Sequence, residues 1–106
     1  MENHWLVDAF VQDEELLAHA SSTLPDSTRA VLYGLVAFEL QNRFERTGSM
    51  DDLNRAITMN EQAVTSTPED HPNRGRTLNN FGSALQSRFE RTGSMDDLNR
   101  AITTKE

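Results

Sequence analysis

Histidine and aspartate are the side chains of this sequence that could support acid–base catalysis or metal binding. The candidates are His4, His19 and His71, together with the aspartate pairs at 51–52 and 96–97. No HExxH motif and no HxxE spacing is present, so no helix offers a zinc-ligand pattern. Adjacent aspartates on a helix point about 100° apart, and their carboxylates do not converge on one reacting atom. We therefore expect helix capping from the aspartates and, from His71, a hydrogen bond that closes a turn.

Other catalytic patterns are missing as well. The sequence contains no GxSxG elbow and no Gly-rich phosphate loop. It has no cysteine, which excludes disulfides and thiolate metal sites. We therefore expect a protein that is not an enzyme and that has neither a cofactor nor a bound metal.

Charge and hydropathy narrow the classes of partner. The formal net charge is −7, which disfavours nucleic acid and anionic membranes because both require clustered lysine and arginine. The N-terminus lacks the basic and apolar regions of a signal peptide. No apolar run approaches the roughly 20 residues that span a bilayer. These features predict a soluble, cytoplasmic protein whose partner is neither nucleic acid nor a membrane.

An internal repeat indicates the architecture. The segment RFERTGSMDDLNRAIT occupies residues 43–58 and recurs without change at residues 88–103, an offset of 45 positions. Arg29, Leu40 and Gln41 also match Arg74, Leu85 and Gln86 at that offset. Identity of this length is the sign of a duplicated structural unit, and such units stack side by side.

Each unit predicts two helices, A and B. In the second unit, proline suits a helix start near Pro72, and Gly93 suits a left-handed helix end. Ser94 then resembles the N-cap of a capping box that closes with Asp97. Apolar residues spaced three or four apart predict the buried face of each helix. These residues are Leu78, Phe81, Leu85 and Phe89 in helix A, and Met95, Leu98 and Ile102 in helix B.

The first unit follows the same pattern. The expected buried residues are Tyr33, Val36, Leu40 and Phe44 in helix A, and Met50, Leu53, Ile57 and Val64 in helix B, which Ser49 caps. The segment from Trp5 to Ser22 reads as one further amphipathic helix, either a half-repeat or a cap. We divide the chain into a divergent helix (1–24), a first repeat (25–69) and a second repeat (70–106) that is truncated in helix B.

The repeat resembles the tetratricopeptide repeat (TPR). The segment PEDHPNRGRTLNNFG (68–82) is similar to the repeats of kinesin light chain. The combination of RTGSMDDLNRAI with EQAV and TPEDHP is similar to repeat arrays of fungal signalling proteins that carry nucleotide-binding or CHAT domains. The resemblance implies an all-α fold, an α–α superhelix of antiparallel hairpins with about five helices. The unit is longer than the usual 34 or so residues, which puts its loop geometry in doubt.

The resemblance also implies a binding surface, because members of this family bind peptides along the concave face of helix A. On that basis the expected partner-binding residues are Arg76, Asn79, Asn80, Ser83, Gln86, Gln41 and Asn42. Asparagine amides can hold a peptide backbone, and Arg76 can bind a carboxylate. The alternative is that these are ordinary solvated helix residues. Gly34 and Phe38 replace the Lys and Asn of the chaperone-binding members, so capture of a chaperone C-terminus is not expected.

A second functional hypothesis is self-association. Repeat ends are complementary, so an uncapped array can form homo-oligomers or head-to-tail stacks. Helix B of the second repeat is short and carries Met95, Leu98 and Ile102, the residues that we expect to mediate such contacts. The charged segment Arg43–Arg46 and its copy read as a solvated face, with a recognition stripe as the alternative.

Overall fold

A computed structural model describes residues 4–105, with side chains for residues 7–104. Over this range the protein contains six helices and no strand. The helices are α1 (His4–Gln12), α2 (Glu14–Ser22), α3 (Asp26–Thr47), α4 (Met50–Ser66), α5 (Arg74–Thr92) and α6 (Met95–Lys105). Helix A of the two units corresponds to α3 and α5, and helix B to α4 and α6. The predicted all-helical class is therefore confirmed.

The N-terminal segment forms two helices, so the prediction of one helix from Trp5 to Ser22 is wrong. Asp13 interrupts it with an extended backbone (φ −123°, ψ 98°), and its carboxylate accepts a hydrogen bond from the Leu16 amide at 3.1 Å. Aspartate competes with the helix in this way because its short side chain can cap the next turn. Residues 4–105 therefore form six helices, where about five were expected. The side chains of His4, Trp5 and Leu6 lie outside the described residues.

The turn inside each hairpin confirms the predicted caps. Gly48 and Gly93 both have φ of 75°, in the left-handed region that favours glycine. The Gly48 amide donates to the Phe44 carbonyl, and the Gly93 amide donates to its counterpart Phe89. The hydroxyl oxygens of Ser49 and Ser94 each accept from an amide three residues further on, at 3.3 Å. Such a short turn leaves consecutive helices antiparallel.

The turn between the units is held by polar contacts. The imidazole Nδ1 of His71 accepts from the Asn73 amide at 3.1 Å, as predicted for a turn-closing histidine. Helix α5 begins at Arg74, so the predicted start near Pro72 is two residues early. The Arg74 guanidinium donates to the carbonyls of Val64 (3.1 Å) and Thr67 (2.7 Å) at the end of α4. A cation there satisfies carbonyls that have no partner within the helix.

Two apolar clusters hold the helices together. One contains Phe44, Leu53, Ile57, Phe81, Ala84, Leu85 and Ala101, and it joins both hairpins. The other contains Val11, Leu17, Val36, Leu40 and Ala56, and it joins the N-terminal helices to the first hairpin. Helix α5 thus packs against α4, and α1 and α2 pack against the first hairpin.

Candidate protein-binding site

An open cavity of about 340 Å³ lies between α3 and α5. Its α3 wall is apolar, and three large side chains on it are exposed: Val31 (54%), Leu35 (49%) and Phe38 (64%). The spacing of four and three residues places them on one helical face. Its opposite wall is polar and includes Arg76 and Asn80 of α5. An exposed apolar row inside a concavity is typical of a surface that a partner covers.

A second cavity of about 280 Å³ adjoins the first. Gly34, Phe38 and Asn80 line both cavities, which therefore form one continuous concavity, here called the groove. The second part of the groove is rich in amides and hydroxyls. They come from Gln41, Asn42, Asn60, Asn80 and Ser83. The groove thus has one apolar and one hydrogen-bonding part.

Two features of the groove floor matter for binding. A Cβ added at Gly34 would meet no atom within 4 Å, so the groove is open at this position. Asn60 of α4 lies at the bottom and is 3% exposed. Sequence reasoning missed Asn60 because it searched only the face of helix A for binding residues. It also missed Leu35, which is not one of the positions of α3 that were expected to be buried.

Charge is distributed unequally along the groove. Arg76 lines the apolar part, and Glu45 lines the amide part. Arg76 and Glu45 are both exposed. The groove therefore has one positive and one negative end, with Phe38 between them. This polarity would orient a charged ligand.

Most of the predicted binding residues do meet in the groove. Those that line it are Arg76, Asn80, Ser83, Gln41 and Asn42. Asn79 and Gln86 do not line it; both are exposed on a neighbouring face of α5. The reason is helical register, because a shift of one position rotates a side chain by about 100°. The Gln86 amide instead donates to Glu90 at 3.4 Å.

The residues predicted to mediate self-association, Met95, Leu98 and Ile102, lie on α6, outside the groove. Met95 (59%) and Ile102 (52%) are exposed and Leu98 is half-buried, so the prediction that they form a buried stripe is wrong. Their copies in the first unit are covered, since Leu53 is 0% and Ile57 is 4% exposed. The two segments have the same sequence, so the difference in exposure has a tertiary cause. Helix α5 packs on α4, whereas no helix in the described part of the chain packs on this side of α6.

The charged segment of each repeat has a structural role at its first arginine. Arg88 binds both carboxylate oxygens of Asp97, at 2.8 and 2.9 Å, and donates to the Asn54 amide oxygen at 3.1 Å. Asp97 is 3% exposed. The hydrogen bonds from Arg88 lower the pKa of Asp97 despite its burial, and the same bonds raise the pKa of Arg88. The expectation of a solvated face is therefore wrong for Arg88. The predicted capping box is only half formed, because the Asp97 amide donates to the Ser94 hydroxyl while the Ser94 amide donates to Thr92 Oγ1 and the Asp97 carboxylate pairs with Arg88.

A further cavity of about 430 Å³ lies between α2 and α4. Arg55 is the cation at its edge, but that guanidinium already donates to the Val11 carbonyl at 2.8 Å and pairs with Glu14 at 3.3 Å. Its contacts thus tie the N-terminal helices to α4. We assign this cavity no ligand.

The described residues contain no group of three or more metal-binding side chains. No helix among them has both the length and the apolar character that crossing a membrane requires. Comparison of the chain with protein-family models, with curated proteins and with solved structures gives no match. The site must therefore be interpreted from its own geometry.

Proposed function

We propose that this chain is a protein-interaction module of the TPR type and that its groove binds an extended segment of a partner protein. One observation carries the proposal: the exposed row Val31, Leu35 and Phe38 faces the polar wall of α5 across an open concavity. The identical tandem segments and the packing of consecutive hairpins support a TPR-like superhelix. The similarity of the repeat to fungal signalling arrays supports a cytoplasmic signalling role.

The chemistry of the groove indicates the kind of segment that fits. An apolar side chain of the partner would pack on Phe38 and Leu35, and burial of such a side chain contributes about 1.5–3 kcal/mol. The amides of Asn42 and Asn80 can both donate to and accept from a peptide backbone. Arg76 would bind a carboxylate near the apolar part. A peptide with a large apolar residue and a nearby acidic residue meets all three requirements.

A peptide library displayed on phage tests the proposal. Selection on the full chain should enrich peptides that combine an apolar and an acidic residue. Gly34→Leu should reduce their affinity at least ten-fold, because the new side chain fills open space in the groove without meeting a neighbour. Leucine also favours the helix relative to glycine, so the variant should fold. Binding is measured by fluorescence anisotropy and folding by circular dichroism.

A matched control lies on the same helix. Asn80→Ala, inside the groove, should weaken binding of the selected peptides, whereas Asn79→Ala, one position away, should leave it unchanged. Equal effects of the two substitutions, or full affinity in Gly34→Leu, would show that the groove is not the binding site.

Self-association, the other hypothesis, stays a prediction. The exposure of Met95 and Ile102 supports it, because a second copy could cover them. Rigid head-to-tail stacking meets an obstacle at the other end, where Val11 and Leu17 already cover α3. Sedimentation velocity over a range of concentrations tests this hypothesis: a strict monomer would exclude it.

A further inference from the structure

The contact between the two repeats shows how the first helix of one repeat packs on the repeat before it. Phe81, Ala84 and Leu85 of α5 pack against Leu53 and Ile57 of α4 in one apolar cluster. Two arginines near the end of α5 add contacts to this seam. The Arg91 guanidinium lies 4.9 Å from the centre of the Phe44 ring, and Arg88 donates to Asn54.

The duplicated segment repeats the receiving surface at the end of the second unit. We call it the end face, and it consists of Phe89, Met95, Leu98, Asn99 and Ile102, the counterparts of residues 44, 50, 53, 54 and 57. Phe44 is 6% exposed, but Phe89 is only half-buried, and Asn99 is exposed. The end face thus repeats five of the side chains near which α5 packs in the first unit, and no helix of the described residues covers them.

We infer that the end face binds a separate helix with the sequence pattern of α5. That pattern places an aromatic residue first, a small residue at +3, leucine at +4, and arginine at +7 and +10, as at positions 81, 84, 85, 88 and 91. The apolar residues would cover Leu98 and Ile102. The two arginines would reach Asn99 and the ring of Phe89, as their counterparts do on the first unit.

A rigid second copy of the chain does not supply such a helix. The seam of its α5 is already packed on its own α4. Its α3 is the only other described helix of the A type, and there Val11 and Leu17 cover the seam residues Val36 and Leu40. In α3, Glu39 also stands where α5 has Ala84. Glu39 is already buried within the first unit, so α3 does not offer this position to a second copy.

Charge favours the same ligand. The segment 74–92 contains four arginines and one glutamate, while the whole chain has a formal charge of −7. Within the chain, Arg100 of α6 pairs with Glu61 of α4 at 3.3 Å, so an ion pair already joins the two units. A basic helix is therefore attracted to this acidic protein, and salt should weaken the interaction.

The test uses a fluorescein-labelled synthetic peptide of residues 74–92 and the full chain. Anisotropy should show saturable binding that weakens several-fold when salt is raised. Ile102→Asp should lower the affinity at least ten-fold, because it places a carboxylate in the seam; its side chain is half exposed in the unbound protein, so the fold should persist. Thr103→Asp, the exposed neighbour with the same added charge, is the matched control. A peptide with Leu85→Asp should not bind.

Three results would overturn the inference. One is a lack of saturable binding by the unmodified peptide. Another is equal affinity for wild type and Ile102→Asp, which would place the peptide elsewhere, for example in the groove. The last is a dimer in sedimentation velocity that Ile102→Asp dissociates, which would make a second copy the occupant. Failure here leaves the proposed groove function untouched, because Gly34→Leu tests a different surface.

Discussion

Ile57 and Ile102 occupy the same position of two identical segments, and they allow burial to be tested with local sequence held constant. Ile57 is 4% and Ile102 is 52% exposed. Replacement by alanine removes three carbons, and the transfer contribution of a fully buried carbon is about 0.8 kcal/mol. At Ile57 the loss is therefore roughly 2.4 kcal/mol, and the cavity left behind raises the total to about 3–4 kcal/mol. At Ile102 about half of the transfer contribution applies and no closed cavity forms, which gives roughly 1 kcal/mol.

The free energy of unfolding is measured for wild type, Ile57→Ala and Ile102→Ala by urea denaturation, followed by circular dichroism at 222 nm. We expect Ile57→Ala to lower it by at least 2 kcal/mol or so more than Ile102→Ala does. Equal losses would contradict the packing of α5 on α4 or the exposure of the end face. If the free energy of unfolding depends on protein concentration for wild type and Ile57→Ala but not for Ile102→Ala, the end face is covered by another molecule in solution.

Two further predictions concern the polar contacts. Asp97 has a pKa lowered by Arg88, so its contribution to stability is complete above the unfolded value of about 3.9 and disappears as pH falls through the lower folded pKa. Arg88→Gln should lower the free energy of unfolding by about 2 kcal/mol near pH 7. In a plot of that free energy against pH, measured by urea unfolding, the variant should lose less stability in acid than wild type does. Parallel curves for variant and wild type would refute the ion pair. Ser49→Ala should lower the free energy of unfolding by about 1 kcal/mol, because it removes the hydroxyl that accepts from the Asp52 amide. Ser49→Asp keeps an acceptor and should retain most of that stability. If Ser49→Ala has the thermal midpoint of wild type, the assigned start of α4 is wrong.

Local signals in the sequence predicted the turns inside both hairpins well. Gly48, Gly93, Ser49 and Ser94 end or begin helices as expected, because the left-handed conformation and the N-cap depend on a few adjacent residues. The break at Asp13 was missed because an aspartate within an amphipathic segment is compatible with both a helix interior and a cap. The choice depends on where Val11 and Leu17 pack, which is a tertiary effect.

The candidate site was predicted less completely. The face of helix A identified Arg76, Asn80 and Ser83, but a shift in register moved Asn79 and Gln86 away from the groove. Asn60 could not be found from periodicity, since it reaches the groove from a helix whose role is structural. The exposure of Met95 and Ile102 could not be found either, because identical letters do not reveal which copy has a neighbour.

The width of the groove depends on a residue that does not line it. Arg74 fixes the start of α5 to the last carbonyls of α4, and α5 carries the polar wall that faces Phe38. The two hydrogen bonds from this guanidinium therefore help to set the angle between the hairpins at the joint between α4 and α5, together with the apolar cluster that both hairpins share. A change of that angle would separate Phe38 from Asn80 while leaving both side chains intact. Selectivity for longer or bulkier partner segments could therefore be adjusted from the joint, at a distance from the contact surface itself.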